Sequence, residues 1–181
     1  MNRNRLLLWT ASGLVAFPVA GVAARVVGTV DGLLVALAAG AIAGAVIGTG
    51  QWLVLRGIGV DAWWIAATAA GFAGGMAVGL AAFGYGTGTT RLVAVGAISG
   101  LGVGIAQWPL LRDRVRASVA WIPAIAGLWA LGWTVSTAIG VDLQRWAVFA
   151  ASGAITVAVL SGALLWALRQ EDPAAQEKVL A

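Results

Sequence analysis

The chain contains no cysteine and no histidine, and its single lysine is Lys178. These absences exclude disulfides, thiolate sites, His-ligated zinc and His-ligated haem. They also exclude a conventional Ser/His/Asp nucleophile and a Schiff base on a membrane lysine. Acid residues are almost as scarce: Asp31, Asp61, Asp113 and Asp142 fall at turns, and Glu171, Asp172 and Glu177 lie in the last stretch of the chain. Paired carboxylates for acid–base work, or a carboxylate proton relay, cannot be assembled from such positions. The expectation is a protein that is not an enzyme and needs no metal or cofactor.

What the chain has instead is 61% hydrophobic residues, 26 glycines and only 10% charged residues. That much apolar surface cannot be hidden in one soluble core and places the chain in a bilayer. Six apolar stretches have the length a helix needs to cross hydrocarbon, near Leu6 to Ala24, Gly32 to Leu55, Ala62 to Tyr85, Leu92 to Leu111, Ser118 to Gly140 and Trp146 to Leu168. The basic residues lie at stretch ends, not along a stripe, so they point to topology and not to nucleic acid. Arg3, Arg5, Arg56, Arg112, Arg114, Arg116, Arg169 and Lys178 gather on one side, against Arg25, Arg91 and Arg145 on the other. The excess predicts both termini in the cytoplasm and a bacterial inner membrane. Trp9, Trp52, Trp63, Trp64, Trp108, Trp121 and Trp166 are expected at the inner headgroup boundary, with Trp146 at the outer one. The opening "MNRNRLLLWTASGLVAFPVAGVAAR" also has the parts of a secretory signal, but the internal repeat favours a retained first span.

That repeat begins with "GQWLVLRG" at 50–57, which returns as "AQWPLLRD" at 106–113, with "LLWALRQ" at 164–170 as a weaker third copy. Gly40, Gly44 and Gly48 precede the first Gln-Trp pair as Gly96, Gly100 and Gly104 precede the second. Extending the phase aligns Trp9, Trp64 and Trp121, and aligns Trp52, Trp108 and Trp166. The chain therefore reads as an all-α membrane protein of three tandem, similarly oriented helical hairpins, 1–56, 57–112 and 113–169, around a rough threefold axis. Residues 170–181 form a short polar tail.

Gln51 and Gln107 share the faces of the two glycine rows, so both should point into the bundle as polar clasps near the cytoplasmic boundary. If they form a structural clasp, replacing either by Leu should cost little, since a removed pair of polar partners leaves little unsatisfied and the third copy carries Leu165 there; if they hold a ligand or line a polar path, the same changes should spare the fold and abolish ligand retention or flux. Small residues at four-residue spacing recur at Ala16, Ala20 and Ala24, at Gly71, Gly75 and Gly79, and at Gly132, Ser136 and Gly140. Such rows let helices approach closely, within the chain or between protomers. The glycine-rich "GYGTGTTR" at 84–91 lacks the lysine of a phosphate loop and reads as an outer connector.

Trp129 and Trp133 share one face at mid-bilayer depth, where indoles form either packed core or a wall for an apolar ligand such as a lipid, quinone or carotenoid. In size, in six-helix count and in the spacing of Ala16 and Ala20, the chain resembles the substrate-binding subunits of energy-coupling-factor vitamin transporters. That resemblance implies a solute-binding membrane protein that meets a transmembrane partner through those alanines. The threefold repeat and the ten tryptophans depart from the family's pattern. Two expectations follow. The first is a non-enzymatic subunit that joins itself or a larger membrane complex through glycine faces. The second is a small solute-binding or transport protein with a ligand site near Trp129, Trp133, Gln51 and Gln107.

Overall fold

The computed structural model describes residues 3–115, 117–140 and 146–170, with side chains described except at 146–152 and 168–170. The described residues are helical apart from short connections, in six long helices: α1 (Arg3–Ala24), α2 (Leu33–Leu55), α3 (Trp63–Phe83), α4 (Thr89–Leu111), α5 (Trp121–Ala138) and α6 (Trp146–Gln170). Helices α1 to α5 are long and apolar enough to cross a membrane, and in α6 the segment Gly153–Ala167 is apolar as well. The segments expected from the sequence match these elements. The largest shifts are of three residues: α1 and α4 start early and take Arg5 and Arg91 into their first turns, and α5 starts late, after a single 3-10 turn at Ser118–Ala120. Residues 171–181, and the expectations for Arg116, Asp142, Arg145 and Lys178, lie outside the described residues.

Each helix packs on its neighbours in the chain, and α6 packs on α1, so the six helices close into a ring. Glycine decides how closely the seams meet. On Gly44 a Cβ would lie 2.7 Å from the Ala69 Cα, and on Gly40 one would lie 2.8 Å from the Ala73 Cα, so α2 and α3 touch backbone to backbone. The α3–α4 seam has the same character: a Cβ on Gly71 would lie 2.6 Å from the Gly102 carbonyl oxygen, and one on Gly75 would lie 2.7 Å from the Ser99 Cα. Across α4 and α5, a Cβ on Gly100 would meet the Ile125 carbonyl oxygen at 2.6 Å, and one on Gly104 would meet the Ile122 Cα at 2.9 Å. Lipid chains are as apolar as the helices, so association rests on van der Waals contact of this kind, which a larger side chain would prevent. Gly48 faces Thr68, Gly79 faces Val95, and Gly96 lies beneath the Trp133 ring. The nine glycines of these three rows, Gly40 to Gly48, Gly71 to Gly79 and Gly96 to Gly104, therefore face a neighbouring helix of the same chain, whereas Gly140 has nothing within 4 Å of an added Cβ.

Polar connections close the ends of the helices. Asp61 accepts the Trp63 backbone N–H at 2.9 Å, a local turn bond just ahead of α3. Gly59, at φ 81, turns the α2–α3 connection through the left-handed region. Its carbonyl accepts a hydrogen bond from the Arg114 guanidinium at 2.9 Å. The ionisable groups Asp31, Asp61, Arg91, Asp113 and Arg114 are all exposed at these ends.

Candidate functional site

The interior of the ring carries two layers that the helices build from fixed positions. The first is a polar clasp. The Trp64 indole N–H donates to the Gln51 side-chain oxygen at 3.0 Å, and the Trp121 indole N–H donates to that of Gln107 at 2.9 Å. Gln107 Nε2 donates in turn to Thr68 Oγ1 at 2.8 Å and, more weakly, to Gln51 Oε1 at 3.4 Å. Thr68 donates to the Trp64 carbonyl at 2.7 Å, so its hydroxyl is used as both donor and acceptor. Each Gln near the end of one helix thus receives an indole from the start of the next. Gln107 is 1% exposed, and Trp64 and Trp121 are 0% exposed.

This arrangement corrects the expected aromatic belt. Trp9, Trp64 and Trp121 are buried among the helices, and the indole N–H groups of Trp64 and Trp121 are satisfied by glutamine instead of by lipid headgroups. Trp63 and Trp166, by contrast, are exposed at 69% and 43%. Trp146 lies outside the described side chains. The Trp108 N–H reaches Ser118 Oγ at 3.2 Å, whereas the buried Trp52 N–H has no partner among the described residues. The reason is local: Asp61 stands three residues before Trp64, as Ser118 stands three before Trp121, and the Asp61 carboxylate accepts the Trp63 backbone N–H instead. Arg56 covers the Trp52 ring, with its guanidinium carbon 5.7 Å from the ring centroid.

The second layer is aromatic. Phe17, Phe72 and Trp129 lie eight residues after Trp9, Trp64 and Trp121 respectively, about two turns deeper. Phe72 meets Trp129 edge to face at a centroid distance of 4.7 Å, and Phe17 meets it at 6.1 Å. Rings from α1, α3 and α5 therefore fill the axis between helices that pack on other neighbours, and each such pair adds about 0.5–1.5 kcal/mol. The sequence reading singled out Trp129 and missed both phenylalanines, although the phase that aligns the three tryptophans also finds them.

Beyond this layer lies a partly open apolar chamber with a cavity volume of about 30 Å³. Trp129 and Trp133 form one wall, Phe17 and Phe72 the base, and Gly21, Gly132 and Gly153 supply bare backbone. The four residues expected to share a ligand site thus divide into two sets: Gln51 and Gln107 in the clasp, Trp129 and Trp133 in the chamber. Ala16 and Ala20, on which the vitamin-transporter resemblance places a partner, both face inward. Ala16 packs against Gly50 of α2, and Ala20 lines the chamber.

The remaining hydroxyls near Trp133 are held by their own helix. Thr134 donates to the Ala130 carbonyl, Ser136 to that of Gly132 and Thr137 to that of Trp133, at 2.8–2.9 Å. No group of acidic residues able to hold a metal occurs among the described residues. Chemically, the interior offers amide–indole hydrogen bonds and apolar contact surface. Compared with known protein families, curated proteins and solved structures, the chain matches none.

Proposed function

We propose that the chain is a non-enzymatic, multi-pass membrane subunit that joins a second copy of itself or a larger membrane complex in a bacterial inner membrane. The observation that carries this reading is that every polar side chain of the clasp is engaged by another and the axis beyond it is filled by aromatic rings. Such an interior serves cohesion, and among the described residues the clasp leaves no polar side chain over for a reaction or a hydrophilic path. The close-approach glycines are consumed within the chain, so a partner would be met on outward positions such as Gly74 and Gly127, where an added Cβ has nothing within 4 Å. Native mass spectrometry after gentle extraction tests this, with a stoichiometric protein partner as the expected result and a monomer with no partner as the contrary one.

The reading includes three tandem hairpins with both termini cytoplasmic. Its support is the recurrence of pairings: Gly44 opposes Ala69, five residues after Trp64, and Gly100 opposes Ala126, five residues after Trp121. In the third seam Gly162 lies against Trp9. In sequence Leu165 then takes the place of Gln51 and Gln107, one residue before Trp166, and it is buried in the same apolar cluster as Trp9. Leu165→Gln is accordingly expected to be tolerated within about 1 kcal/mol, the scale of one intramembrane hydrogen bond. Leu80→Gln, with no indole at the matching place, should lose clearly more in the same thermal unfolding measurement.

The absence of native cysteine makes the orientation directly measurable. Thr29→Cys and Thr87→Cys, both exposed in connections at one end, should react with an impermeant thiol reagent added outside cells. Asp113→Cys, exposed at the other end, should react only after permeabilisation; the reverse pattern would invert the proposed topology.

A second reading is favoured by the chamber at Trp129 and Trp133: a small binding protein for an apolar ligand. A small molecule retained in native mass spectra, without a protein partner, would select it over the first.

A further inference from the structure

We infer that the chamber beside Trp129 and Trp133 holds the end of a single hydrocarbon chain, an acyl or isoprenoid tail that enters from the bilayer between α1 and α6. The inference deepens the second reading and rests on it. It starts from what the chamber lacks. Twelve residues after Trp9, Trp64 and Trp121 stand Gly21, Met76 and Trp133. Met76 and Trp133 are 3% and 9% exposed and fill their seams, whereas Gly21 contributes no side chain. The same holds across the seam. Thirteen residues before Trp52, Trp108 and Trp166 stand Ala39, Val95 and Gly153. The chamber, which also reaches α2, α3 and α5, thus borders the α1–α6 seam where Gly21 and Gly153 contribute no side chain, in a position that a methionine or an indole fills elsewhere.

Its chemistry selects the occupant. Among the described residues the lining consists of glycine, alanine, valine, isoleucine, phenylalanine and tryptophan, with no ionisable side chain. A volume of about 30 Å³ exceeds the roughly 10–15 Å³ that one water needs, but water also needs two to four polar partners including acceptors, and the described side chains offer at most the indole N–H donors of Trp129 and Trp133. An unfilled space would forfeit dispersion contacts along its whole lining. In a membrane the medium at hand is hydrocarbon chain, and a few terminal carbons fit where a quinone ring or a rigid polyene does not. Met76, an unbranched side chain in the matching place between α2 and α3, shows what shape that place accepts.

Trp129 and Trp133 make the occupant readable by fluorescence. The protein is reconstituted in vesicles of phosphatidylcholine brominated near the methyl end of one acyl chain, beside Gly21→Met and Gly153→Val, which restore the missing side chains. Lipid-facing Trp63 and Trp166 are quenched alike in all three. The unmodified chain should show additional quenching on the scale of two tryptophans in its ten, lost in both filled variants. Equal quenching in all three, with raised Tm in the filled variants, means an empty void and overturns the inference. If neither variant folds, the unmodified chain carrying Trp63→Phe and Trp166→Phe answers instead, since absent quenching there overturns the inference equally. Native mass spectrometry separates the sources: a retained phospholipid marks an acyl tail, and a retained prenyl lipid marks an isoprenoid one. A retained polar solute would leave the second reading standing and remove this one.

Discussion

Gly71→Ala and Gly100→Ala should each destabilise the protein by about 1–3 kcal/mol, while Gly74→Ala and Gly127→Ala should leave it unchanged or slightly more stable. All four substitutions add one methyl group to a helix, and the intrinsic helix preference favours alanine by up to about 1 kcal/mol each time. What differs is the neighbour. At Gly71 and Gly100 the new carbon would stand 2.6 Å from a backbone oxygen of the adjoining helix, which cannot rotate away as a side chain can. At Gly74 and Gly127 nothing lies within 4 Å. Gly71 and Gly74 are three residues apart on α3, so composition and depth are nearly matched. Thermal unfolding in a mild detergent would check this; a loss at Gly74→Ala equal to that at Gly71→Ala would mean that close approach across the α3–α4 seam is not what holds the ring.

The second large effect is expected at Gln107. Its amide makes three hydrogen bonds, to Trp121, Thr68 and Gln51, and is 1% exposed. Gln107→Leu strands a fully buried indole N–H, at a cost of about 1–3 kcal/mol, and takes one bond from the Thr68 hydroxyl, which keeps its bond to the Trp64 carbonyl. The modest loss expected from sequence assumed that removing the polar partners leaves little unsatisfied, whereas the shortest bonds of the two glutamines go to tryptophans and to Thr68. Gln51, half-buried and joined to Gln107 by the longest bond of the set, should be the milder site. Adding Trp121→Phe to Gln107→Leu should recover part of the stability, because the stranded donor is then gone. A double variant no better than the single one would show that the indole hydrogen bond is not the source of the loss.

Much of this architecture is legible in the residues. Apolar length places the helices, and glycines at four-residue spacing place the tight seams, since both follow from local chemistry along one helix. The inward aim of Gln51 and Gln107 is legible for the same reason. Partner choice is not, because it depends on which neighbour stands opposite: Trp64 and Trp121 have the composition of boundary residues and become core because an amide oxygen lies within reach. Phe17 and Phe72 carry no polar mark at all, and only their eight-residue offset from the repeated tryptophans singles them out. The chamber is written as the absence of side chains at Gly21 and Gly153, which a reading for conspicuous residues passes over.

The central claim is that the interior is closed to water, cohesive and without a polar path. Ala43 tests it most directly, being 2% exposed and lining the chamber at the level of the aromatic layer. In the otherwise cysteine-free chain, Ala43→Cys in intact vesicles should stay unmodified by a small water-soluble thiol reagent over a period in which Thr87→Cys reacts to completion, and should react once the protein is denatured. Modification of Ala43→Cys in the folded protein at a rate comparable to Thr87→Cys would reveal a hydrated pathway through the ring and contradict the account.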